Sequence, residues 1–209
     1  SQDLRALSTG VVRALTTAQV DALSSDQMAQ LTTGQVAALT TEQIVNLTTT
    51  DLNALNSAQF NAMTTQQVAN LTTTQLSSLE TADLRTLSST ALRALTTDQL
   101  NALTSDQMAA MTSGQIASLT TAQIANLTST DLNALTDVQT AGLTTAQVGA
   151  LGSAQVAGLS TADLNSLTTA QFGVISSAQA AGLTTAQVAG LESQDLRALS
   201  TGVVRALTT

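Results

Sequence analysis

Few residues in this chain could carry out chemistry. It contains no cysteine and no histidine, and its six basic residues are all arginine. Without His or Cys it lacks both the usual general base at neutral pH and a thiolate nucleophile, and it can form no disulfide. Serine and threonine abound, but hydroxyls served by carboxylates alone make poor nucleophiles. We therefore expect no enzyme activity and no cofactor. The carboxylates are scattered. Pairs such as Asp21 and Asp26 are sparse, and nothing has the D-x-D-x-D-G spacing of a calcium loop, so no metal site is expected. A net charge of −8 argues against nucleic acid, because phosphate contacts need Lys and Arg to release counterions.

The basic residues fall in one recurring segment. D-L-R-x-L-S-x-x-x-[VL]-R-A-L-T-T occurs at 3–17, 83–97 and 195–209 and holds every arginine. Two readings are open for its charged residues, Asp3, Arg5, Arg13, Asp83, Arg85, Arg93, Asp195, Arg197 and Arg205. One is local pairing at the surface, which contributes little stability. The other is a lateral contact that meets acidic stretches of a neighbouring molecule.

The elements that position these residues follow from a strict repeat. Cutting every eight residues from Leu7 gives LSTGVVRA, LTTAQVDA, LSSDQMAQ, LTTGQVAA, and so on to Thr209 with nothing inserted or lost. Position one is Leu, replaced only by Met63, Met111 and Ile175. Positions two and three are nearly always Thr or Ser. Position five is Gln or Asp, except at Val11, Ala91 and Val203, which lie in the recurring segments. Position six is Val, Ile, Leu, Met or Phe, except at Thr140 and Ala180, and positions seven and eight are mostly small. A short fixed period marks a solenoid or fibre and takes precedence over local readings. A hydrophobic content of 43% with 10% charged residues argues against disorder. The longest apolar runs are a few residues, too short for a transmembrane span.

Each octad reads as one short helix. One continuous helix would turn its Leu stripe by roughly 80° per octad, so no partner could follow it. In LTTAQVDA at 15–22, Thr16 is the expected N-cap and Gln19 sits at N3, which makes a capping box; Leu15 and Val20 then form a hydrophobic staple. The helix should run five or six residues before the next Leu-Thr step. It cannot stand alone. Burying a Leu and a Val contributes about 1.5–3 kcal/mol each and a cap about 1 kcal/mol, whereas ordering each backbone residue costs about 1–2 kcal/mol. Stability must come from neighbouring octads. Met28, Met63, Met108 and Met111 fall on core positions and read as packing. The expected class is therefore all-α: a solenoid or superhelix of very short capped helices. The alternative is a β-solenoid. Against it, positions six, eight and one cannot all share one face of a strand, and Ala and Gln are poor strand formers.

A longer period overlies the octad. Residues 193–209 are identical to 1–17, an offset of 192 residues. Echoes at 83–100 and 161–172 divide this super-repeat into 1–80 and 81–192, with the next copy beginning at 193. The whole chain, 1–209, therefore reads as one continuous array, a fragment of a longer one.

The LTTxQ[VI]xA unit resembles octapeptide arrays of very large surface and secreted proteins of Gram-negative bacteria, and the resemblance covers essentially the whole chain. It implies a structural protein: a cell-surface or extracellular filament, stalk or adhesin. The expected partner is a further copy, joined laterally or end to end. Alternatives are an adhesin-type module for glycan or host protein, and an ice- or surface-binding array of threonines. No nucleic acid and no membrane insertion are expected.

Overall fold

A computed structural model describes residues 2–207, and the side chains of residues 4–207. The chain is all-helical. Twenty-six helices, from α1 (Gln2–Ala6) to α26 (Thr201–Ala206), follow one another at one per octad, and no strand occurs among the described residues. This excludes the β-solenoid. The helices are four to six residues long, slightly shorter at the low end than expected, as in α4 (Ser25–Met28) and α5 (Thr33–Ala38).

The break between helices comes from the Leu-Thr step itself. Leu15 closes α2 (Thr9–Ala14) with φ −61°, ψ 142°, and Thr16 opens α3 (Thr17–Asp21) with φ −70°, ψ 158°. Two successive extended residues turn the chain out of one helix and into the next. β-Branched threonine suits that conformation. No described residue has a positive φ, so the bend needs no glycine, which explains why only 11 glycines serve the whole chain.

Position two then caps the helix it opens. The Thr16 hydroxyl accepts the Gln19 N–H at 3.2 Å, and Gln19 Oε1 accepts the Thr16 N–H at 2.9 Å. This is the capping box read from the sequence, and it recurs in most octads, for example at Thr40 and Gln43 or Thr144 and Gln147. Position three is the first helical residue and does not cap; where its hydroxyl bonds, it reaches another coil, as Ser57 does to Asp83 at 3.0 Å and Ser113 to the Val138 carbonyl at 3.4 Å.

Helix contacts divide the chain into two compact units, Ser1–Ala110 and Met111–Thr209. In the first, each helix packs on the third one along: α2 on α5, α3 on α6 (Thr41–Val45), α6 on α9 (Thr65–Ala69). The second is built in the same way, from α15 (Ser113–Ser118) on α18 (Asp137–Ala141) to α23 (Ser177–Ala181) on α26. Within each unit positions one and six line the interior. Val36, Ile44, Leu52, Val68 and Leu76 in the first unit, and Ile116, Ile124, Leu164 and Phe172 in the second, are fully buried. Met28, Met63, Met108 and Met111 are buried too, as expected of core residues. Small residues at position eight let the coils approach. A Cβ on Gly182 would stand 2.8 Å from the Ser153 carbonyl oxygen, and one on Gly190 would stand 2.6 Å from Thr161 Cγ2.

Candidate functional site

The most elaborate polar arrangement in the molecule is built on position five. Its glutamine is fixed from its own helix first. In α9 the Thr64 N–H donates to Gln67 Oε1 at 2.7 Å, and the Gln67 N–H donates to Thr64 Oγ1 at 3.2 Å. That leaves the amide nitrogen pointing away from the cap. It donates to the Val36 and Leu39 carbonyls, both at 2.8 Å. These are the last helical turn and the C-cap of α5, so α9 is tied to the fourth helix before it. Packing on the third helix and bonding to the fourth puts between three and four octads in each turn.

The arrangement repeats along both units. In the first, Gln59 reaches Met28 and Leu31 at 3.1 and 2.7 Å, Gln75 reaches Ile44 and Leu47 at 2.9 Å each, and Gln107 reaches Leu76 and Leu79 at 2.8 Å each. In the second, Gln147 reaches Ile116 and Leu119 at 2.9 and 2.8 Å, and Gln179 reaches Val148 and Leu151 at 2.9 and 2.8 Å. These glutamines are buried. One side chain therefore caps its own helix with its oxygen and joins two coils with its nitrogen, using carbonyls that a helix end leaves open.

The sequence reading assigned the first half of that function and missed the second. A signal was present. The polar residue at position five is Gln or Asp and never Glu, although all three accept in a capping box and a carboxylate is favoured at a helix N-terminus. Only the amide supplies donors as well.

Aspartate at position five keeps the cap and loses the tie. Asp131 Oδ2 accepts the Thr128 N–H at 3.1 Å and the Thr128 hydroxyl at 2.5 Å, and Asp163 does the same with Ser160. Two aspartates lack even the hydroxyl, because Glu80 and Glu192 occupy their N-cap positions and make no side-chain cap. Asp83 is buried and accepts a bond from Ser57 at 3.0 Å. Burial raises its pKa above the ordinary carboxylate value; the Ser57 bond opposes that and the Glu80 charge reinforces it. Asp195 is fully buried, and neither carboxylate oxygen has a hydrogen-bond partner among the described residues. Burial raises its pKa, helped by Glu192.

The structure thus separates the charged residues of the recurring segment. Arg5, Arg13, Arg85, Arg93, Arg197 and Arg205 are exposed, whereas Asp83 and Asp195 point inward. The side chain of Asp3 lies outside the described residues. Arg5 donates from Nε to the Gln30 carbonyl at 2.9 Å. Arg13 stands between two shallow depressions of about 310 and 330 Å³, beside Gln67 in one and Glu42 in the other. A wider depression of about 530 Å³ in the second unit is lined by Asp137, Val138, Ala141, Ala162, Asn165 and Ser166. No group of three or more acidic residues among the described ones is placed to hold a metal ion, and no described helix is long and apolar enough to cross a membrane.

Comparison with known proteins agrees with the repeat. The family model described as the ALTTAQ repeat matches seven stretches, residues 1–33, 49–80, 76–113, 108–145, 129–161, 156–191 and 188–209. No curated protein matches the chain.

Proposed function

We propose that this chain, which belongs to the ALTTAQ repeat family, is a structural spacer: an elongated segment of a bacterial cell-surface or extracellular filament, without a catalytic role. The observation that carries the reading is the use of position five. In octad after octad the buried polar side chain is committed to joining one coil to another. Such a scaffold can be lengthened by whole octads without redesign, since stability adds up through nearest-neighbour contacts. The sequence offsets of 80 and 112 residues differ by whole octads, as expected of such a scaffold.

Two other readings find less support. In an ice-binding face the threonine hydroxyls should be free, yet position-two hydroxyls accept N3 amides. Nothing in the depressions beside Arg13 or Val138 favours a glycan. A lateral contact through the recurring segment would draw on its exposed arginines, because Asp83 and Asp195 are buried.

The test is length. Small-angle scattering on chains carrying one, two and three copies of the 192-residue super-repeat should give a maximum dimension that grows linearly with copy number, with one unchanged cross-section. A compact particle whose radius follows the cube root of mass would refute the spacer reading.

A further inference from the structure

We propose that the octads of this array form two kinds of coil joint, one tied to the coil before through position five and one tied to the coil after through position seven, and that the arginines of the recurring segments belong to the second kind. Such joints are a property of the fold and exist whether or not the chain serves as a spacer. The two positions are paired in the sequence. Nine octads lack glutamine at position five, and all nine carry Asn or Arg at position seven. Asp51, Asp131 and Asp163 are followed two residues on by Asn53, Asn133 and Asn165. Asp3, Asp83 and Asp195 are followed by Arg5, Arg85 and Arg197, and Val11, Ala91 and Val203 by Arg13, Arg93 and Arg205. Among the seventeen octads that have the glutamine, only those of Gln59 and Gln99 also have Asn at position seven, and none has Arg.

The hydrogen bonds show what position seven does. Asn53 ends α7 (Thr49–Asn53), and its Nδ2 donates to the Ser78 carbonyl at 2.7 Å. Ser78 is the C-cap of α10 (Thr73–Ser77), so the bond fills a carbonyl that a helix end leaves open. Asn133 donates to the Gly158 carbonyl at 2.8 Å, and Asn165 to that of Gly190 at 2.9 Å. The bond from Arg5 Nε to the Gln30 carbonyl at 2.9 Å is the same tie made by a longer side chain. In all four the acceptor lies 25 residues further on, at position eight of the third octad along. Arg13 lines a depression together with Ala38, which stands at that same distance in the chain. The glutamine ties run the other way, to carbonyls 28 and 31 residues back. Helix geometry accounts for the reversal. Positions five and seven stand about 200° apart around the axis, so each faces a different neighbouring coil. An octad with Asp, Ala or Val at five gives up the amide that bonds the coil before, and Asn or Arg at seven supplies a donor to the coil after.

The experiment is residue-resolved hydrogen exchange on the 209-residue chain. Asn53→Ala should speed exchange of the Leu79 amide, which donates to the Leu76 carbonyl, by roughly fivefold, and leave the Leu23 amide as it was. Asn53→Asp, which turns an acceptor toward the Ser78 carbonyl, should speed it further. Asp51→Gln combined with Asn53→Ala converts the octad to the other kind of joint. Leu79 should stay fast, while the Leu23 amide, bonded to the Val20 carbonyl, should slow by a similar factor, because the new amide reaches back 28 and 31 residues to Leu23 and Val20. A substitution that merely destabilised the array would speed both amides and could not move protection from one coil to the other. Arg13→Ala should speed exchange at Leu39 in the same way and leave the sedimentation coefficient unchanged. Wild-type exchange at Leu79 in the Asn53→Ala chain, no slowing at Leu23 in the converted chain, or an Arg13→Ala chain altered in association but not in exchange, would overturn the assignment. The scattering series on linked copies judges the spacer reading separately.

Discussion

Replacing Gln67 by glutamate isolates the tie between coils from everything else at position five. The two side chains have the same shape. One carboxylate oxygen can still accept the Thr64 N–H, so the capping box survives. The other takes the place of the amide nitrogen, 2.8 Å from the Val36 and Leu39 carbonyl oxygens. Two hydrogen bonds, each contributing about 0.5–1.5 kcal/mol, are lost. An acceptor then faces two acceptors at a site where Gln67 is 2% exposed, and leaving buried groups unsatisfied costs about 1–3 kcal/mol. The expected loss at neutral pH is about 3–5 kcal/mol, enough to open the coil locally.

The pH dependence makes the test specific. Facing carbonyls in a buried site, the new carboxyl should have a folded pKa above its unfolded value of about 4.3. The folded state then binds the proton more tightly. Stability from this group is complete below the unfolded pKa and is lost as pH rises through the folded pKa. Once protonated, the introduced carboxyl can also donate one bond back. The deficit relative to wild type should therefore shrink by about half between about pH 7 and pH 4. Gln67→Met, which removes donor and acceptor alike, should show a deficit that does not change with pH. Urea unfolding followed by circular dichroism gives the overall cost. Hydrogen exchange at Leu39 and Val68 shows whether the opening is local, which matters because long repeat arrays need not unfold in two states. A Gln67→Glu chain within about 0.5 kcal/mol of wild type at neutral pH, or a deficit indifferent to pH, would refute the role given to the amide.

Three further outcomes are expected. Asp195→Gln should restore donors toward the Leu164 and Leu167 carbonyls and raise stability at neutral pH by about 1–2 kcal/mol; because the raised pKa of Asp195 makes the wild type gain stability on acidification, melting curves at two pH values should show that gain reduced in the variant. Thr96→Ala should cost about 1 kcal/mol, read from urea midpoints, since Thr96 Oγ1 accepts the Gln99 N–H at 3.2 Å. Gly182→Ala should cost about 1–3 kcal/mol by calorimetry, because its Cβ would meet the Ser153 carbonyl, whereas Gly149→Ala, with nothing within 4 Å of its Cβ, should be neutral or stabilising.

What could be read from the sequence was whatever lies within one octad. The N-cap, the capping box and the buried pair at positions one and six all connect residues close together in the chain, and Thr16, Gln19 and Val20 stand as the spacing predicts. What could not be read lies in the coil before. The partners of Gln67 are 28 and 31 residues upstream, in octads that look like every other octad. The number of octads per turn depends on the angle at each extended Leu-Thr step, which residue types do not encode. The same distance hid the burial of Asp83 and Asp195. Within their own segment they stand two residues from an arginine, and only the packed coil shows that the two charges face opposite ways.

That separation gives the recurring segments a physical meaning different from a charged patch. At 83–97 position five is Asp83 and then Ala91; at 195–209 it is Asp195 and then Val203. Two successive octads lack the amide. In the first unit the carbonyls of Leu52, Leu55, Phe60 and Met63 therefore receive no glutamine, although Asp83 and Ala91 stand at the spacing that elsewhere supplies one. Ala91 and Val203 are buried at 3% and 4%, so the interior remains closed by apolar contact, which is non-directional and tolerates small sliding. Directional ties hold the layers on either side. The ties resume in the octads that follow the first of these segments: Gln99 donates to the Ala69 and Leu71 carbonyls at 3.0 and 2.6 Å, and Gln107 to those of Leu76 and Leu79.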